Sequence, residues 1–385
     1  MGSQGPKKIL AVFGTRPEAI KMAPVIKALE ADAERFRVIT CVTGQHREML
    51  DEMLETFQLE PEIDLNLMRP DQTLAGLTSR AMTRIAEVLA TVRPDFTLVQ
   101  GDTTTAMTAA LASFYAHVPV GHVEAGLRTA DRFNPFPEEI NRRIVGTLAD
   151  LHFAPTQAAA RALISEGVRA NDVFVTGNTV IDALLMTAAR LPQTSTPRFA
   201  NRSRYILVTA HRRESFGEPI RRICEALRWI AVQHPDVGIL FPVHPNPRIR
   251  IPVREMLQHA DGIQLVEPLS YTELVGALRG AHFVITDSGG LQEEAPALCK
   301  PVLVVRETTE RPEAVEAGVA RLVGTDPVRI IAAADELLGV ADTYARMSRG
   351  AKVFGDGRAA ARIARVMVAR LFDAPFDRRE LEVAA

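Results

Sequence analysis

The chain has 385 residues, a formal net charge of -2, 47% hydrophobic residues and only 5% aromatic residues. The length predicts about two domains, and the charge provides no basic face, which argues against a nucleic-acid partner. No apolar run approaches the roughly 20 residues that span a bilayer, so we expect no membrane partner either.

In the first half of the chain, short apolar runs alternate with helical patterns. The runs predicted as buried strands are Lys8–Phe13, Arg37–Val42, Phe96–Gln100, Val118–Val123 and Leu151–Ala154. Helical patterns begin near Pro17, Gln45, Thr103 and Thr156, and another follows Pro137. Strands that alternate with helices predict βαβ units and a parallel sheet.

A loop-like stretch at 191–197 is predicted to be a linker, after which the alternation restarts. The strands predicted beyond it are Tyr205–Thr209, Val237–Phe241, Ile263–Val266, Phe283–Thr286 and Val302–Val305. The last helical pattern, about Gly357–Phe372, is long enough to cross back to the first domain. We therefore predict two α/β domains with a cleft between them. The first covers residues 7–190 and is completed by a C-terminal helix at about 357–385, and the second covers 198–356.

The cysteines and histidines show no metal-binding spacing. Cys41, Cys224 and Cys299 form no CxxC pair and lie in apolar contexts, which predicts reduced core thiols in a cytoplasmic protein. There is also no HExxH motif and no Cys/His cluster, so we expect no metal.

Several candidate catalytic groups lie at predicted strand or helix ends. Asp102 and Glu124 each follow a predicted strand, Glu138 comes just before a helix, and His211 follows the strand that ends at Thr209. Open α/β sheets bind ligands beyond the carboxyl ends of their strands, so the carboxylates are candidates for proton transfer. His211 is suited to exchange a proton or to bind a phosphate oxygen, and the alternative is a structural histidine.

Two strand-to-helix turns carry groups suited to an anion. The first is Gly14–Lys21, whose alternative interpretation is a tight turn with solvated charges, and the second is the Ser-Gly-Gly turn at 288–290. Helix amino termini and glycine turns favour phosphate groups, although neither turn matches GxGxxG or a P-loop. The residues that we assign to a diphosphate or its ribose are Arg16, Lys21, Ser288, Gly289, Gly290, Glu294 and Arg311.

Together, these segments resemble the non-hydrolysing UDP-N-acetylglucosamine 2-epimerases. Runs that match the family occur in its order over nearly the whole chain: Gly14–Pro24, Gly44–Leu50, Gly101–Thr105, His122–Thr129, Pro135–Arg142, Thr176–Val180, His211–Gly217, Asp287–Pro296 and Thr308–Ala314. The resemblance implies two Rossmann-like domains facing across a cleft, as in GT-B glycosyltransferases, with the nucleotide held mainly by the second. It also implies a homodimer that needs no cofactor.

The resemblance further implies interconversion of UDP-GlcNAc and UDP-ManNAc, with a product used for bacterial cell-surface polysaccharide. It assigns catalysis to Asp102, Glu124, Glu138 and His211, and assigns His211 also to UDP. Loss of UDP would give a 2-acetamidoglucal intermediate, and re-addition with a proton on the other face of C2 would give the epimer. Two faces call for two acid/base groups. We expect Asp102 and Glu138 to be that pair, with Glu124 sharing or positioning the transfer and His211 serving the leaving diphosphate.

Some bacterial members of this family bind a second UDP-GlcNAc as an activator. The corresponding positions here include Gln45, Arg212 and His244, which match the expected pattern. Glu48 and Asp71 replace the Gln and Arg expected at two others. Acidic side chains facing a diphosphate would repel it, which argues against activation by the substrate.

Three alternatives remain from the sequence. A hydrolysing epimerase would release free ManNAc and UDP, but the intact Gly-Thr-Arg-Pro-Glu segment at 14–18 argues against it. A GT-B glycosyltransferase would leave the trio of carboxylates unexplained. A non-catalytic sugar-nucleotide sensor would have no use for those carboxylates or for His211.

Overall fold

The computed structural model describes residues 5–44, 47–69, 72–129, 131–192, 199 and 202–381. The chain divides into two compact units. One ends at Ala183 and is completed by the segment from Phe354 onward, and the other is Leu184–Val353. The division falls inside the helix Thr179–Arg190, a few residues before the predicted linker, most of which lies outside the described residues.

Over its described residues, the first unit is built on a parallel sheet in the order β3-β2-β1-β4-β5-β6-β7. The strands are β1 (Lys7–Phe13), β2 (Phe36–Val42), β3 (Ile63–Asp64), β4 (Phe96–Gln100), β5 (Val120–Val123), β6 (Leu151–Ala154) and β7 (Val173–Val175). The helices are α1 (Arg16–Glu30), α2 (Arg47–Phe57), α3 (Leu74–Val92), α4 (Thr104–Tyr115), α5 (Glu138–Leu148) and α6 (Gln157–Ser165), and α7 (Thr179–Arg190) continues into the second unit.

The centre of this sheet explains why its strands are continuous apolar runs. Every residue of β4 is buried, and so are the last five residues of β1. Strands of a parallel sheet are covered on both faces, so they have no polar side to expose. Gly121 of β5 lies beside Leu98 of β4, and a Cβ there would come within 2.8 Å of the side chains of Leu98 and Phe96. The glycine therefore makes room for these two large side chains.

The second unit repeats the arrangement with the order β10-β9-β8-β11-β12-β13 over its described residues. The strands are β8 (Arg204–Thr209), β9 (Val237–Pro242), β10 (Ile263–Val266), β11 (Phe283–Thr286), β12 (Val302–Val304) and β13 (Ala320–Leu322). The helices are α8 (Glu218–Gln233), α9 (Pro247–Leu257), α10 (Tyr271–Gly280), α11 (Gly289–Ala297), α12 (Pro312–Glu316), α13 (Pro327–Gly339) and α14 (Ala341–Met347). In both units the order is that of a Rossmann fold, so the predicted fold class is confirmed.

The C-terminal helix α15 (Ala359–Leu371) belongs to the first unit, as predicted. It packs against α1, and its amino terminus is capped by Asp182, whose carboxylate accepts from the backbone N–H of Ala359 at 3.1 Å and of Ala360 at 2.9 Å. None of the described helices is both long and apolar enough to cross a membrane.

The prediction for the cysteines is confirmed for two residues and wrong for one. Cys41 and Cys224 are buried free thiols, whereas Cys299 is free but exposed. Cys299 lies just after the end of α11 in the left-handed region, with φ of 59°. The backbone turns at Cys299, and the residue is exposed although most of its neighbours in the sequence are apolar.

Candidate active site

In each unit the strand order reverses between two strands, and most predicted site residues follow one of those strands or the next strand of the sheet. In the first sheet, β1 and β4 lead into the turns at Gly14 and Gly101. In the second sheet, β8 and β11 lead toward His211 and Asp287. Ligands of open α/β sheets bind at such a reversal, beyond the carboxyl ends of the strands. Each unit therefore carries a candidate site of its own.

Glu124 is held by three donors from different parts of the first unit. The Nζ of Lys21 lies 2.6 Å from both carboxylate oxygens, Gln100 Nε2 donates to Oε2 at 2.5 Å, and Asn178 Nδ2 donates to Oε1 at 2.9 Å. The backbone of Glu124 is in the left-handed region, with φ of 62°, directly after β5. In every one of these contacts the carboxylate is an acceptor, which is the role of its ionised form.

Asp102 lies in a different environment from Glu124. Arg142 Nη2 donates to its Oδ2 at 2.5 Å, and Asn141 Nδ2 donates to its backbone carbonyl at 3.0 Å. Burial raises the pKa of the Asp102 carboxyl and Glu124 raises it further, while the charges of Arg142 and Lys21 act in the opposite direction. A carboxyl whose pKa is moved toward neutrality is suited to general acid–base catalysis.

Glu138 is the first residue of α5 and is half-buried. Among the described residues it has no ion-pair partner and accepts no side-chain hydrogen bond. Asn141 and Arg142 lie three and four residues later, so they share its helix face. Because those two residues contact Asp102, α5 presents Glu138 on the side that faces Asp102.

Two other acidic residues of this region are structural. Glu139 is fully buried and accepts from the backbone N–H of Thr129 at 3.0 Å. Glu18 is also buried, and it accepts from the backbone N–H of Thr15 at 2.8 Å and from the hydroxyl of Thr103 at 2.6 Å. The bonds of Glu18 tie the turn after β1 to the turn after β4, and the bond of Glu139 ties the start of α5 to the loop at Thr129.

Two of the three cations predicted for a diphosphate lie in the first unit, and they differ in their surroundings. Arg16 is the first residue of α1, is half-buried, and pairs with no carboxylate in the described part of the chain. It is placed where an anion would also meet the helix amino terminus. Lys21 directs its ammonium at Glu124. The assignment of both residues to a diphosphate stays a prediction.

In the second unit, a buried aspartate that the sequence did not indicate organises the turn after β8. Asp287 Oδ2 accepts from the backbone N–H of His211 at 2.8 Å and of Arg212 at 2.9 Å, and from Ser215 Oγ at 2.8 Å. The side chain is wholly buried. Its Oδ1 lies 3.1 Å from His211 Nδ1, at ion-pair distance but without the alignment of a hydrogen bond. Asp287 therefore fixes where His211 stands.

His211 has a half-exposed ring that lies above this aspartate. Burial lowers the pKa of His211, as do the charges of Arg212, His244 and Arg306, while Asp287 opposes them. The His244 ring lies 6.1 Å from the His211 ring. A neutral imidazole can donate a hydrogen bond from one nitrogen and accept one at the other.

The predicted glycine turn begins α11, with Ser288 as its N-cap residue. Ser288 N–H donates to Thr286 Oγ1 at 2.9 Å. A Cβ on Gly289 would lie 3.3 Å from Arg212 Nη2, and one on Gly290 would lie 3.7 Å from Glu294 Oε2. The two glycines thus leave the backbone accessible between the Arg212 guanidinium and the Glu294 carboxylate. A phosphate group would suit the side of Arg212, and hydroxyl groups would suit the side of Glu294.

Arg311, the other cation predicted for a diphosphate, is paired within the protein. Its Nε contacts Glu293, and its Nη1 donates to the carbonyl of Glu310 at 3.1 Å. Arg306, which the sequence did not indicate, is buried and donates from Nη1 to Glu310 Oε2 at 3.0 Å. The same carboxylate lies 3.6 Å from Arg212 Nη2. This acidic and basic network surrounds the turn that begins α11.

The proposed regulatory positions are only partly described. Gln45 and Asp71 lie outside the described residues, and so does the side chain of Glu48. Arg212 lies beside Gly289, and the exposed His244 lies beside His211. Both described residues therefore border the candidate site of the second unit.

The partners of the predicted carboxylates were missed at the level of the sequence. Gln100 ends an apolar strand run, Arg142 lies in α5, and Asn178 directly precedes α7. All three lie in or beside runs that resemble the family, which was the available signal. A polar residue in an otherwise apolar strand, as at Gln100, was a second signal, because a buried amide needs a partner.

Comparison with known proteins agrees with this geometry. The sequence model of the family described as UDP-N-acetylglucosamine 2-epimerase matches residues 27–368. The UDP-N-acetylglucosamine 2-epimerase of Salmonella typhimurium is 49% identical over 365 residues, which covers 92% of this chain and 97% of the relative. The crystal structure of UDP-GlcNAc 2-epimerase from Neisseria meningitidis bound to UDP-GlcNAc is 42% identical. It has a TM-score of 0.86 and covers 95% of this chain and 100% of the other. The enzyme from Methanocaldococcus jannaschii, in complex with UDP-GlcNAc and UDP, is 34% identical with a TM-score of 0.76, over 94% and 99% of the two chains.

Proposed function

The chain belongs to the UDP-N-acetylglucosamine 2-epimerase family, and from that premise we propose that it interconverts UDP-GlcNAc and UDP-ManNAc without hydrolysing either. The observation that carries this proposal is the pair of carboxyl groups, Asp102 and Glu124, just beyond the ends of β4 and β5. Glu124 is held as an acceptor by Lys21, whereas burial raises the pKa of Asp102. Titratable groups whose environments differ in this way take different acid–base roles.

The C2 proton of the sugar is not acidic while C1 is bonded to UDP, because no carbonyl group is adjacent to C2. If the C1–O bond breaks, UDP takes the electron pair and C1 acquires oxocarbenium character. Loss of the C2 proton to a carboxylate then forms the C1–C2 double bond of 2-acetamidoglucal. Addition of UDP to C1, with a proton delivered to the opposite face of C2, gives the epimer. The cycle consumes no water and leaves the charge balance unchanged.

Asp102 and Glu138 are the proposed proton-transfer pair. Asp102 is positioned by Arg142 and Asn141, and Glu138 lies on the helix face that carries those two residues. Glu124 is proposed to stabilise the positive charge that develops at C1, or to share the proton transfer, because its contacts hold it as an acceptor. A carboxylate that accepts from an ammonium and two amides would be a poor acid.

The second unit is proposed to hold the nucleotide. The open backbone at Gly289 and Gly290 suits the diphosphate, Glu294 suits the ribose hydroxyls, and neutral His211 suits a phosphate oxygen of the leaving UDP. Arg212 is a cation beside the same turn. Arg311 is proposed to contact the diphosphate while it remains paired with Glu293. The Glu293 carboxylate then weakens the attraction between Arg311 and the diphosphate.

The cellular setting is proposed on the same basis. We expect a homodimer in the cytoplasm that supplies ManNAc units for a cell-surface polysaccharide, with no metal or cofactor. The acidic residues at 48 and 71 argue against activation by a second UDP-GlcNAc, so the rate is expected to rise hyperbolically with substrate.

Proton NMR of the reaction in D2O tests the proposal directly. The purified chain is incubated with UDP-GlcNAc without added metal or nicotinamide. The expected result is UDP-ManNAc, with deuterium at C2 in both epimers. Free ManNAc with stoichiometric UDP would identify the hydrolysing reaction instead, and tight binding of UDP-GlcNAc without any change would identify a sensor.

A further inference from the structure

A buried histidine beneath the first candidate site contacts the turn that carries Asp102. His122 lies in β5 and is wholly buried, and its Nε2 is 2.7 Å from the backbone carbonyl oxygen of Gly101. Gly101 has φ of 69°, a left-handed conformation, and its N–H donates to the carbonyl of Val123 at 2.9 Å. The residue before Asp102 is thus held from β5 at both its N–H and its carbonyl.

The chemistry of this contact determines the tautomer of His122. A carbonyl oxygen can only accept, so Nε2 must carry the proton and donate it. Nδ1 is buried and has no hydrogen-bond partner among the described residues. Burial lowers the pKa of His122 to about 3, and the neighbouring His152 lowers it as well. The imidazole is therefore neutral and donates through one nitrogen throughout the physiological range.

Two bonds connect the ends of β4 and β5 in opposite directions. Gln100 on β4 donates to the Glu124 carboxylate, and His122 on β5 donates to the Gly101 carbonyl. We propose that His122 is a positioning residue for the epimerisation, because its bond to Gly101 sets the place of Asp102 relative to Glu124. This inference rests on the proposed function.

The chain offers a matched control for His122. His152 is its neighbour in register on β6, is 1% exposed, and has its pKa lowered by burial to about 4. Its backbone contact is with Ala149 rather than with the Gly101 turn. A substitution at His152 therefore removes a buried histidine from the same sheet without removing the donor to the Gly101 carbonyl.

Three variants separate positioning from general damage to the fold: His122→Leu, His122→Gln and His152→Leu. Leucine fills the space without a donor, whereas glutamine places an N–H close to where Nε2 stands. The measurements are kcat, KM for UDP-GlcNAc, and the isotope effect on kcat with substrate deuterated at C2. His122→Leu is expected to lower kcat on the order of 10- to 100-fold, because misplacement of a reacting group by about 1 Å costs this much.

The isotope effect distinguishes the two explanations. If His122 positions Asp102, proton abstraction becomes slower in His122→Leu and the isotope effect exceeds that of the unaltered chain, while KM changes by less than about threefold. His122→Gln recovers most of kcat, and His152→Leu keeps it. A merely smaller fraction of folded enzyme would lower the rate and leave the isotope effect unchanged.

Two results would overturn the inference alone: a His122→Leu enzyme with the kcat of His152→Leu, or a slower one with an unaltered isotope effect. Failure of the unaltered chain to form UDP-ManNAc would instead contradict the proposed function, and this inference with it. The unaltered chain is measured first, so the two failures are distinguishable.

Discussion

At the level of single residues, the surroundings of Lys21 differ from those expected from its place in the sequence. The pattern after β1 assigned it to a diphosphate, but its ammonium lies 2.6 Å from both oxygens of Glu124. Removing one partner of a buried ion pair leaves the other charge uncompensated. Lys21 is therefore expected to act on the reaction through Glu124 and only weakly on the nucleotide.

A comparison of Lys21→Met with Arg16→Met tests this account. We expect Lys21→Met to lower kcat on the order of 100-fold, because an uncompensated carboxylate disturbs the electrostatics of the site. Its Kd for UDP, measured by titration calorimetry, should change by less than about threefold. Arg16 has no carboxylate partner among the described residues, so Arg16→Met should weaken UDP binding more and leave Glu124 intact. A Lys21→Met enzyme with normal kcat and weak UDP binding would restore the assignment to the diphosphate.

The acid–base assignment makes a second prediction at this scale. Asp102→Asn and Glu138→Gln preserve shape and an acceptor oxygen but cannot take up the C2 proton. Each should slow exchange of the C2 hydrogen with D2O by about 100- to 10,000-fold, the usual worth of a general acid or base. The exchange is followed by NMR under single-turnover conditions. Exchange at the unaltered rate in both variants would refute the assignment.

At the level of elements, the first unit depends on a cap that joins distant parts of the chain. The carboxylate of Asp182 on α7 accepts the first two backbone N–H groups of α15, which begins 177 residues later. Asp182→Ala leaves both donors unsatisfied and should lower the free energy of unfolding by about 1–2 kcal/mol. Urea unfolding at pH 8 measures the loss, and faster hydrogen exchange in α15 locates it.

Asp326 provides the matched control for this cap. It is exposed and accepts one N–H, that of Val328 at 3.0 Å, at the start of α13. Asp326→Ala should cost about 1 kcal/mol or less, and it should leave exchange in α15 unchanged. If Asp182→Ala proved no more destabilising than Asp326→Ala, the cap would not be what holds the C-terminal helix.

The elements differ in how far the sequence could predict them. The bounds of β4 and β6 agree with the predicted runs to the residue, because strands buried on both faces read as mostly apolar runs with clear ends. The two-residue β3 and the three-residue β7 and β13 were not predicted, because so short a run carries no periodicity. Their strand character comes from pairing with a neighbour.

The residues of the candidate site also divide into those that the sequence could predict and those that depend on tertiary packing. Asp102, Glu124 and His211 could be found from the sequence because they stand at strand ends, where side chains meet a ligand. Asp287 and Arg142 could not be assigned roles, because a buried ion pair or hydrogen bond depends on which elements pack together. Tertiary packing likewise turned Lys21 toward a carboxylate.

At the level of the whole molecule, buried titratable groups predict how stability changes with pH. Burial lowers the pKa of His122 to about 3 and of His152 to about 4, from 6.5. Below pH 6.5 the unfolded chain takes up these protons before the folded chain does, so stability falls as the pH falls. Asp182, whose pKa is raised by burial to about 6, acts in the opposite direction because the folded state binds its proton first.

Burial also raises the pKa of Glu18 and Asp102, so these carboxyls act with Asp182 and against the histidines. The contribution of one histidine is isolated by comparing the unaltered chain with His152→Leu. Between pH 6 and 5 the free energy of unfolding of the unaltered chain should fall by roughly 1 kcal/mol per pH unit more than that of His152→Leu, because His152 takes up about one proton on unfolding. Urea titrations at pH 6.0, 5.5 and 5.0, followed by circular dichroism, measure both slopes. Equal slopes would contradict a neutral buried imidazole at His152.

The central claim is that the bond between C1 and UDP breaks and re-forms while UDP remains bound. The most direct test uses UDP-GlcNAc with oxygen-18 in the bridge between C1 and the β-phosphate. We predict that the label moves into non-bridging positions of the β-phosphate in recovered UDP-GlcNAc, as UDP-ManNAc appears and no free sugar accumulates. Formation of UDP-ManNAc with the label wholly retained in the bridge would contradict the elimination and the role proposed for the carboxylates around C2.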